Sequence, residues 1–279
     1  MKLYSVNAGY FKLDGGAMFG VVPKSIWNKL NPADEYNMCN WATRCLLIED
    51  GKRLILVDNG MGDKQEAKFF GYYFLNGDDT LQRSLAKHGF SFDDVTDVVL
   101  THLHFDHCGG SIKWSDDKSK LVPAFKNAKY YVNEKHWNWA VNPNAREKAS
   151  FLKENILPIQ ESGQLNFITE SSKIIDAMSF VEVNGHTEAM MLPKINYNGN
   201  TILYMADLIP SVAHLPLPYI MAYDVRPLET LKEKTQILTE AAKNNWLLFF
   251  EHDNSVELIS LEATEKGVRR KEELRLADL

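Results

Sequence analysis

A chain of 279 residues, 45% hydrophobic and 24% charged, has the length and composition to bury a substantial core. Its net charge of -6, from 31 Lys and Arg against 37 Asp and Glu, excludes a fold-wide basic field for nucleic acid. No apolar run reaches the length of a membrane span, and no nucleic-acid or membrane partner is expected.

Taken in chain order, Met1–Asn7 lacks the apolar stretch of a secretory signal. With Cys39, Cys45 and Cys108 an odd and sparse set, reduced thiols and a cytoplasmic location are the expectation. The apolar run Ala17–Pro23 and the aromatic run Phe69–Phe74, built around Gly71, either complete the core or form an apolar mouth over a site. The first of them also suits a homodimer interface. Strand-like runs rich in Val, Ile, Leu and aromatics lie at 41–48, 53–58, 95–101, 129–132, 179–183, 201–205, 246–250 and 256–261. Helix-like runs lie at 80–88, with Leu81 and Leu85 before Gly89, and at 228–244, with Leu231, Thr235, Leu238 and Ala242 at helical spacing. The basic tail 266–271 is followed by Glu272 and Glu273 and reads as a solvated helix or end segment. Strands with interleaved helices predict a mixed α/β or α+β fold. No linker splits residues 1–279, so one domain is expected.

The chemistry concentrates in Thr101-His102-Leu103-His104-Phe105-Asp106-His107. It follows the buried strand Val98-Val99-Leu100, whose alternation would put His102 and His104 on one side. Neutral imidazoles and a carboxylate at this spacing are natural ligands of zinc, and also of iron, manganese or cobalt. One such run cannot fill two metal shells. Three further polar groups stand where hydrophobic strands stop: His186, Asp207 and His252.

HLHFDH, a later Gly185-His186-Thr187, a strand-terminal Asp207 and a late His252 together resemble the metallo-β-lactamase superfamily of dinuclear hydrolases, over roughly Ala42 to Asp253. Leu56-Val57-Asp58-Asn59-Gly60 is similar to an early strand-and-turn motif of that family. The resemblance implies an αββα sandwich with metals at one edge between two sheets, and two Zn(2+) per chain. It implies that His102, His104 and His186 hold the first metal and Asp106, His107 and His252 the second, with Asp207 bridging. Asp58 would orient ligands from behind. Two departures stand out. GHT continues as Glu188-Ala189-Met190 rather than PGH, and the bridging position holds an aspartate where the familiar zinc β-lactamases hold cysteine, which disfavours β-lactam hydrolysis.

Two divalent ions sharing a water would give hydroxide near neutral pH, for attack on a carbonyl or phosphoryl centre. Layout is similar to N-acyl homoserine lactonases and to methyl parathion hydrolase-like members. That implies a zinc hydrolase opening the ester bond of an N-acyl homoserine lactone, as in quorum quenching. An organophosphate or phosphoester hydrolase is the alternative, and a non-catalytic metal-binding scaffold the second. Candidate contacts for an apolar substrate tail are Met18, Phe19, Val22, Phe69 and Phe70. Asp106 is a candidate proton shuttle. His214 and Tyr223, in the proline-rich stretch after Asp207, are candidates to hydrogen-bond the substrate carbonyl. His88 and His136 are assigned to surface or packing, and Cys108 to packing.

Overall fold

The computed structural model describes residues 1–279. The chain begins with β1 (Lys2–Asp14), the short helices α1 (Gly15–Phe19) and α2 (Lys24–Trp27), then β2 (Met38–Asp50) and β3 (Arg53–Val57). Helices α3 (Ala67–Gly71) and α4 (Leu81–Lys87) lead to β4 (Asp97–Val99) and α5 (Phe105–Cys108). A small hairpin, β5 (Ile112–Trp114) and β6 (Leu121–Pro123), precedes β7 (Lys129–Asn133), α6 (Glu134–Val141), α7 (Lys153–Glu161) and β8 (Leu165–Ile168). There follow β9 (Met178–Val183), β10 (Met190–Tyr197), β11 (Asn200–Tyr204), α8 (Pro227–Lys243), β12 (Leu247–Phe249), β13 (Leu258–Thr264) and β14 (Gly267–Leu274).

The strands form two six-stranded sheets. One runs β1-β2-β3-β4-β7-β8 and the other β14-β13-β12-β11-β10-β9. The first is antiparallel at its β1 edge only, and the second is antiparallel towards both edges. The pairs β3/β4, β4/β7 and β7/β8 in the first sheet and β11/β12 in the second are parallel. Strand β3 shows why a sandwich results. Ile55 and Val57 join the core between the sheets, while Leu54 and Leu56 join the core under the outer helices. A period of two with both faces apolar requires cover on both sides. Helices α4, α6 and α7 supply that cover for the first sheet through Leu85, Trp137 and Ile156. Helix α8 brings Ile237, Leu238 and Ala241 to the second. The mixed sheets flanked by helices form the αββα sandwich of the metallo-β-lactamase type. No helix is long and apolar enough to cross a membrane.

Helix ends follow local chemistry. The Thr80 hydroxyl accepts the Arg83 N–H at 3.2 Å and opens α4, and Pro227 sits in the first turn of α8. The inward face of α8 differs from the stripe expected at Leu231, Thr235, Leu238 and Ala242. Thr230, Glu233, Lys234, Ile237, Leu238 and Ala241 are buried, while Thr235 is exposed. The polar residues have backbone partners in neighbouring loops that periodicity cannot register. Lys234 Nζ donates to the Pro216 and Tyr219 carbonyls at 2.8 and 3.0 Å. Glu233 accepts the Asn184 and Gly185 N–H groups at 2.6 and 3.0 Å.

Several elements exceed the reading from sequence. Strand β1 pairs with β2 along most of its length, yet buries only Leu3, Val6 and Phe11, so its alternation is faint. The tail 266–271 is neither helix nor loose end but lies largely in β14, a charged edge strand on β13. Charges there block further pairing and hide the strand from a hydrophobicity count. The run Ala17–Pro23 begins in α1 and packs with Phe11, Trp27 and Trp41. Phe69, Phe70 and Tyr73 lie half-buried against the same cluster, whereas Tyr72 and Phe74 are exposed.

Because Ile55 is fully buried between the sheets, Ile55→Ala is expected to destabilise the fold by about 2–5 kcal/mol. Urea unfolding followed by far-UV circular dichroism measures this, and a change below about 0.5 kcal/mol would contradict the placement of the core.

Candidate metal centre

Five strand ends deliver the polar residues. Asp58 follows β3, His102 to His107 follow β4, His186 follows β9, Asp207 follows β11 and His252 follows β12. The strand before His102 stops at Val99, so strand alternation does not align the two imidazoles. A loop running into α5 does. The backbone is strained at two of these exits, with φ of +54° at Asp58 and +41° at Ala206, just before Asp207. Left-handed conformations in non-glycine residues cost about 1–3 kcal/mol each and persist only where surroundings enforce them. Gly185 packs against α8 so closely that a Cβ there would lie 2.3 Å from the Thr230 nitrogen. No side chain fits, and the His186 loop is pressed onto the helix.

Two groups of donor atoms result, each within 4.8 Å: His102, His104, His186 and Asp207, and beside them Asp106, His107 and His252. All seven residues are buried. His104 Nδ1 lies 3.1 Å from His102 Nε2 and 3.1 Å from His186 Nε2. His107 Nε2 lies 3.2 Å from His252 Nε2. Asp207 reaches both groups, with Oδ2 3.0 Å from His186 Nε2 and Oδ1 3.1 Å from His252 Nε2. Asp106 Oδ2 is 3.8 Å from the Nε2 atoms of both His107 and His252.

The outward-facing nitrogens identify the proton on each ring. His102 Nδ1 is 3.1 Å from the Thr101 hydroxyl, which itself donates to Asp58 at 2.7 Å. His186 Nδ1 donates to Asp224 at 2.8 Å, and His252 Nδ1 to the Ala42 carbonyl at 2.7 Å. His107 Nδ1 faces Asp58 at 3.1 Å and Glu251 at 3.0 Å. His104 Nε2 faces Glu147 at 3.5 Å. Each imidazole therefore turns inward the nitrogen that would ligate a metal once unprotonated. Five such nitrogens and the Asp207 carboxylate at about 3 Å, with Asp106 3.8 Å away, call for positive charge among them, from bound protons or from a metal. Asp207 Oδ1 has no hydrogen-bond donor of its own. The donor set and its spacing fit ligands about 2 Å from a shared tetrahedral centre.

Electrostatics express the same demand. Burial alone would lower His186 and His252. The Asp207 carboxylate outweighs it, and the two are pushed up to about 10 and about 9. His102 is held well below its ordinary value by burial and by the neighbouring imidazoles. Asp58 is raised by burial and by the charge of Glu251. For Glu147, burial acts upward, but hydrogen bonds from His104 and Thr187 prevail and hold it at about 2.

A cavity of about 320 Å³ opens above these atoms. His104, Asp106, His186, Asp207 and His252 form its floor, and Leu13, Met18, Tyr73, Phe105 and Met221 an apolar wall. Arg146 and Tyr223 stand among its lining residues, with Tyr223 39% exposed. Of the five residues expected to meet a substrate tail, only Met18 lines the cavity. Phe69 stands one layer back, packing on Phe105 and Tyr73 at ring distances of 5.3 and 5.1 Å. Phe70 sits behind Phe69, and Phe19 is buried between Trp27 and His214. Val22 packs on the same apolar cluster outside the cavity.

His214 is likewise not placed for catalysis. Its Nδ1 pairs with the Ser211 hydroxyl at 2.8 Å and its Nε2 donates to the Met18 carbonyl at 2.9 Å. Burial pushes it down to about 3, so it is a neutral brace between α1 and the loop after Asp207. His136 is buried and accepts the Leu103 N–H at 2.8 Å, supporting the ligand loop from beneath. His88 stacks on Tyr4 at the surface, and the Cys108 thiol donates to the Leu103 carbonyl at 3.3 Å. Sequence reasoning missed Glu147, Asp224 and Glu251. Glu251 adjoins a strand-end histidine, which is a usable signal. Asp224 and Glu147 lie in loops without one.

A sequence profile described as the metallo-beta-lactamase superfamily matches residues 40–252. An N-acyl homoserine lactonase of Bacillus thuringiensis is 26% identical over 198 residues, 67% of this chain and 66% of that protein. The match thus spans just under two thirds of this curated relative. A probable metal-dependent hydrolase from Staphylococcus aureus superposes with a TM-score of 0.88 at 26% identity, covering 98% of both chains. AidC, a dizinc quorum-quenching lactonase in complex with the product N-hexanoyl-L-homoserine, superposes with a TM-score of 0.77 at 23% identity. That superposition covers 98% of this chain and 94% of AidC, and at that identity the likeness is one of fold.

Ligation needs neutral imidazoles, so zinc binding at pH 7 is expected to release protons, about two per chain from His186 and His252 alone. Zinc affinity should weaken as pH falls below about 9. In the metal-free chain the same raised values support folding below about pH 6.5, and that support disappears as pH rises through 9 and 10. Titration calorimetry in buffers of different ionisation heat reads the proton count; a heat independent of buffer would contradict it. Asp224→Ala, which frees His186 Nδ1, should lower zinc affinity about 10- to 100-fold by chelator competition.

Proposed function

We propose that this chain, which belongs to the metallo-β-lactamase superfamily, is a dinuclear zinc hydrolase that opens the ester bond of a lactone, namely an N-acyl homoserine lactone. The observation that carries the reading is one cavity with two faces: an apolar wall of Leu13, Met18, Tyr73, Phe105 and Met221 over a floor of buried ligand-type side chains. A lactone with an acyl tail needs both, and each methylene buried on the wall contributes roughly 0.8 kcal/mol. Membership in a family of metal-dependent hydrolases with lactonase relatives supports the reaction class.

In this reading His102, His104 and His186 hold one ion and Asp106, His107 and His252 the other, with Asp207 between them. Bound there, two divalent ions would supply a hydroxide near neutral pH and Lewis acidity for the scissile carbonyl. The chain's own groups do the rest. Asp207 and the outer carboxylates Asp58, Asp224, Glu147 and Glu251 hold the imidazoles in one tautomer and orientation. Asp106, at the cavity floor, takes the proton released on attack and returns it to the leaving alkoxide. A phenol donates to the substrate carbonyl. Tyr73 and Tyr223 both line the cavity, and burial pushes Tyr73 up to about 12, so it remains a donor. The apolar wall excludes water from the acyl tail. Residues 1–279 act as one domain, and three unpaired, buried cysteines support a reducing cytoplasm.

Hydrolysis assays on lactones of graded acyl length and on a phosphotriester panel, with zinc counted by elemental analysis, test this. Lactone turnover rising with chain length and about two zinc per chain are expected. Less than about one zinc per chain after zinc-supplemented purification would remove the dinuclear site. Rapid phosphotriester turnover without lactone turnover would make the enzyme an organophosphate hydrolase. Asp106→Asn should retain the fold and lower kcat about 10²- to 10⁴-fold, and full turnover with both metals bound would rule out its proton role.

A further inference from the structure

Glu147 lies in the loop between α6 and α7 and is 3% exposed. Its Oε2 accepts Trp139 Nε1 at 2.7 Å and Asn144 Nδ2 at 2.5 Å, and its Oε1 accepts the Thr187 hydroxyl at 2.6 Å. No lysine or arginine pairs with it. The one ionisable neighbour is His104, whose buried Nε2 is 3.5 Å from Oε1 and has no hydrogen-bond partner of its own. The far side of that ring, Nδ1, faces His102 and His186. A buried carboxylate without a cation is costly. Here the imidazole of a proposed ligand separates it from the place where a cation would stand.

The same loop is a wall of the cavity, through Arg146, Ala149 and Ser150. It is tied to the donor group at several points. Phe151 packs on the His104 ring at 4.8 Å, and the Ser150 carbonyl accepts the Phe105 N–H at 3.0 Å. Thr187, held by Glu147, directly follows His186. The Arg146 guanidinium donates to the Ala222 carbonyl and to the Asp224 carbonyl, and Asp224 Oδ1 accepts from His186 Nδ1.

We propose that Glu147 is a positioning residue that couples filling of the His102, His104, His186 and Asp207 group to closure of the wall at 142–152. It orients His104 so that Nδ1 points inward, and a cation beyond the ring balances its charge. The wall is then held shut when that group is filled and loosened when it is empty. This rests on the metal reading given above.

The test compares wild type, Glu147→Gln, Glu147→Asp and Trp139→Phe, each zinc-loaded and zinc-stripped. Chelator competition gives zinc affinity, and hydrogen exchange gives protection of the peptide spanning 142–152. Glu147→Gln should lose about 10- to 100-fold in zinc affinity at one of the two sites, and Glu147→Asp should recover part of it. Trp139→Phe keeps the carboxylate facing His104 and should keep near wild-type affinity. Protection of 142–152 should fall when wild type is stripped of zinc and stay low in Glu147→Gln in both states. Should Glu147→Gln fail to fold, Glu147→Asp keeps the charge but shortens its reach to His104, and both its zinc affinity and the response of 142–152 to zinc should fall below wild type. Wild-type zinc affinity in Glu147→Gln, or wild-type protection indifferent to zinc, would overturn the coupling while leaving the metal reading intact. Wild type that binds no zinc would overturn both.

Discussion

Five imidazoles turn one ring nitrogen each towards the others around the carboxylate of Asp207, and this convergence is the constraint to which the rest of the structure answers. Nitrogens 3.1 to 3.2 Å apart repel when two lone pairs, or two protons, face each other. So do the carboxylates beside them. The fold holds the arrangement by facing each ring on its outer side with an acceptor: Asp224, Asp58, Glu251, Glu147, the Thr101 hydroxyl or the Ala42 carbonyl. The concentration of acidic groups outside the rings exceeds what hydrogen bonding alone requires. It makes sense as compensation for positive charge inside.

The sandwich supplies the rigidity for this. Hydrogen bonds stitch the two sheets together beside the site rather than far from it. The Ala42 and Arg44 N–H groups donate to the carbonyls of His252 and Glu251, and Met191 N–H donates to the Thr101 carbonyl. Arg44 Nη1 reaches the Phe250 carbonyl at 2.8 Å, and the Tyr204 hydroxyl reaches the Arg44 carbonyl at 3.1 Å. Strained backbone at Asp58 and Ala206 survives because strand pairing on either side leaves those residues no alternative. Parallel neighbours β3/β4 and β11/β12 put strand ends side by side, so residues far apart in sequence arrive within one ligand radius.

Reaction type and substrate choice are separated in the architecture. The floor of the cavity comes from strand ends and is common to the proposed chemistry. The wall comes from β1, α1, the turn after α3 and the loops after α6 and Asp207. Aromatic residues there form two layers. Tyr73 and Phe105 touch the cavity, and Phe69 and Phe70 support them. His214 and Phe19 brace the same wall from deeper in. Substrate preference is therefore expected to respond to residues that never touch a ligand.

Much of the site was legible from sequence alone. His102, His104, Asp106 and His107 cluster within one short run, and His186, Asp207 and His252 each end a hydrophobic strand. Polar residues where apolar runs stop need no tertiary information to be noticed. The same holds for the strands themselves, whose cores are dense in Val, Ile and Leu. What stayed hidden has a common cause. Glu147, Asp224 and the brace role of His214 depend on partners tens of residues away, and β1 and β14 expose so much polar surface that their pattern fades. The inner layer of the wall could not be told from the outer one, because Phe69 and Tyr73 lie on the same turn and only packing decides which faces the cavity. Sequence by itself determined which atoms can ligate. The tertiary structure alone decided which nitrogen of each ring points inward, because the tautomer is set by the hydrogen-bond partner on the other side of the ring.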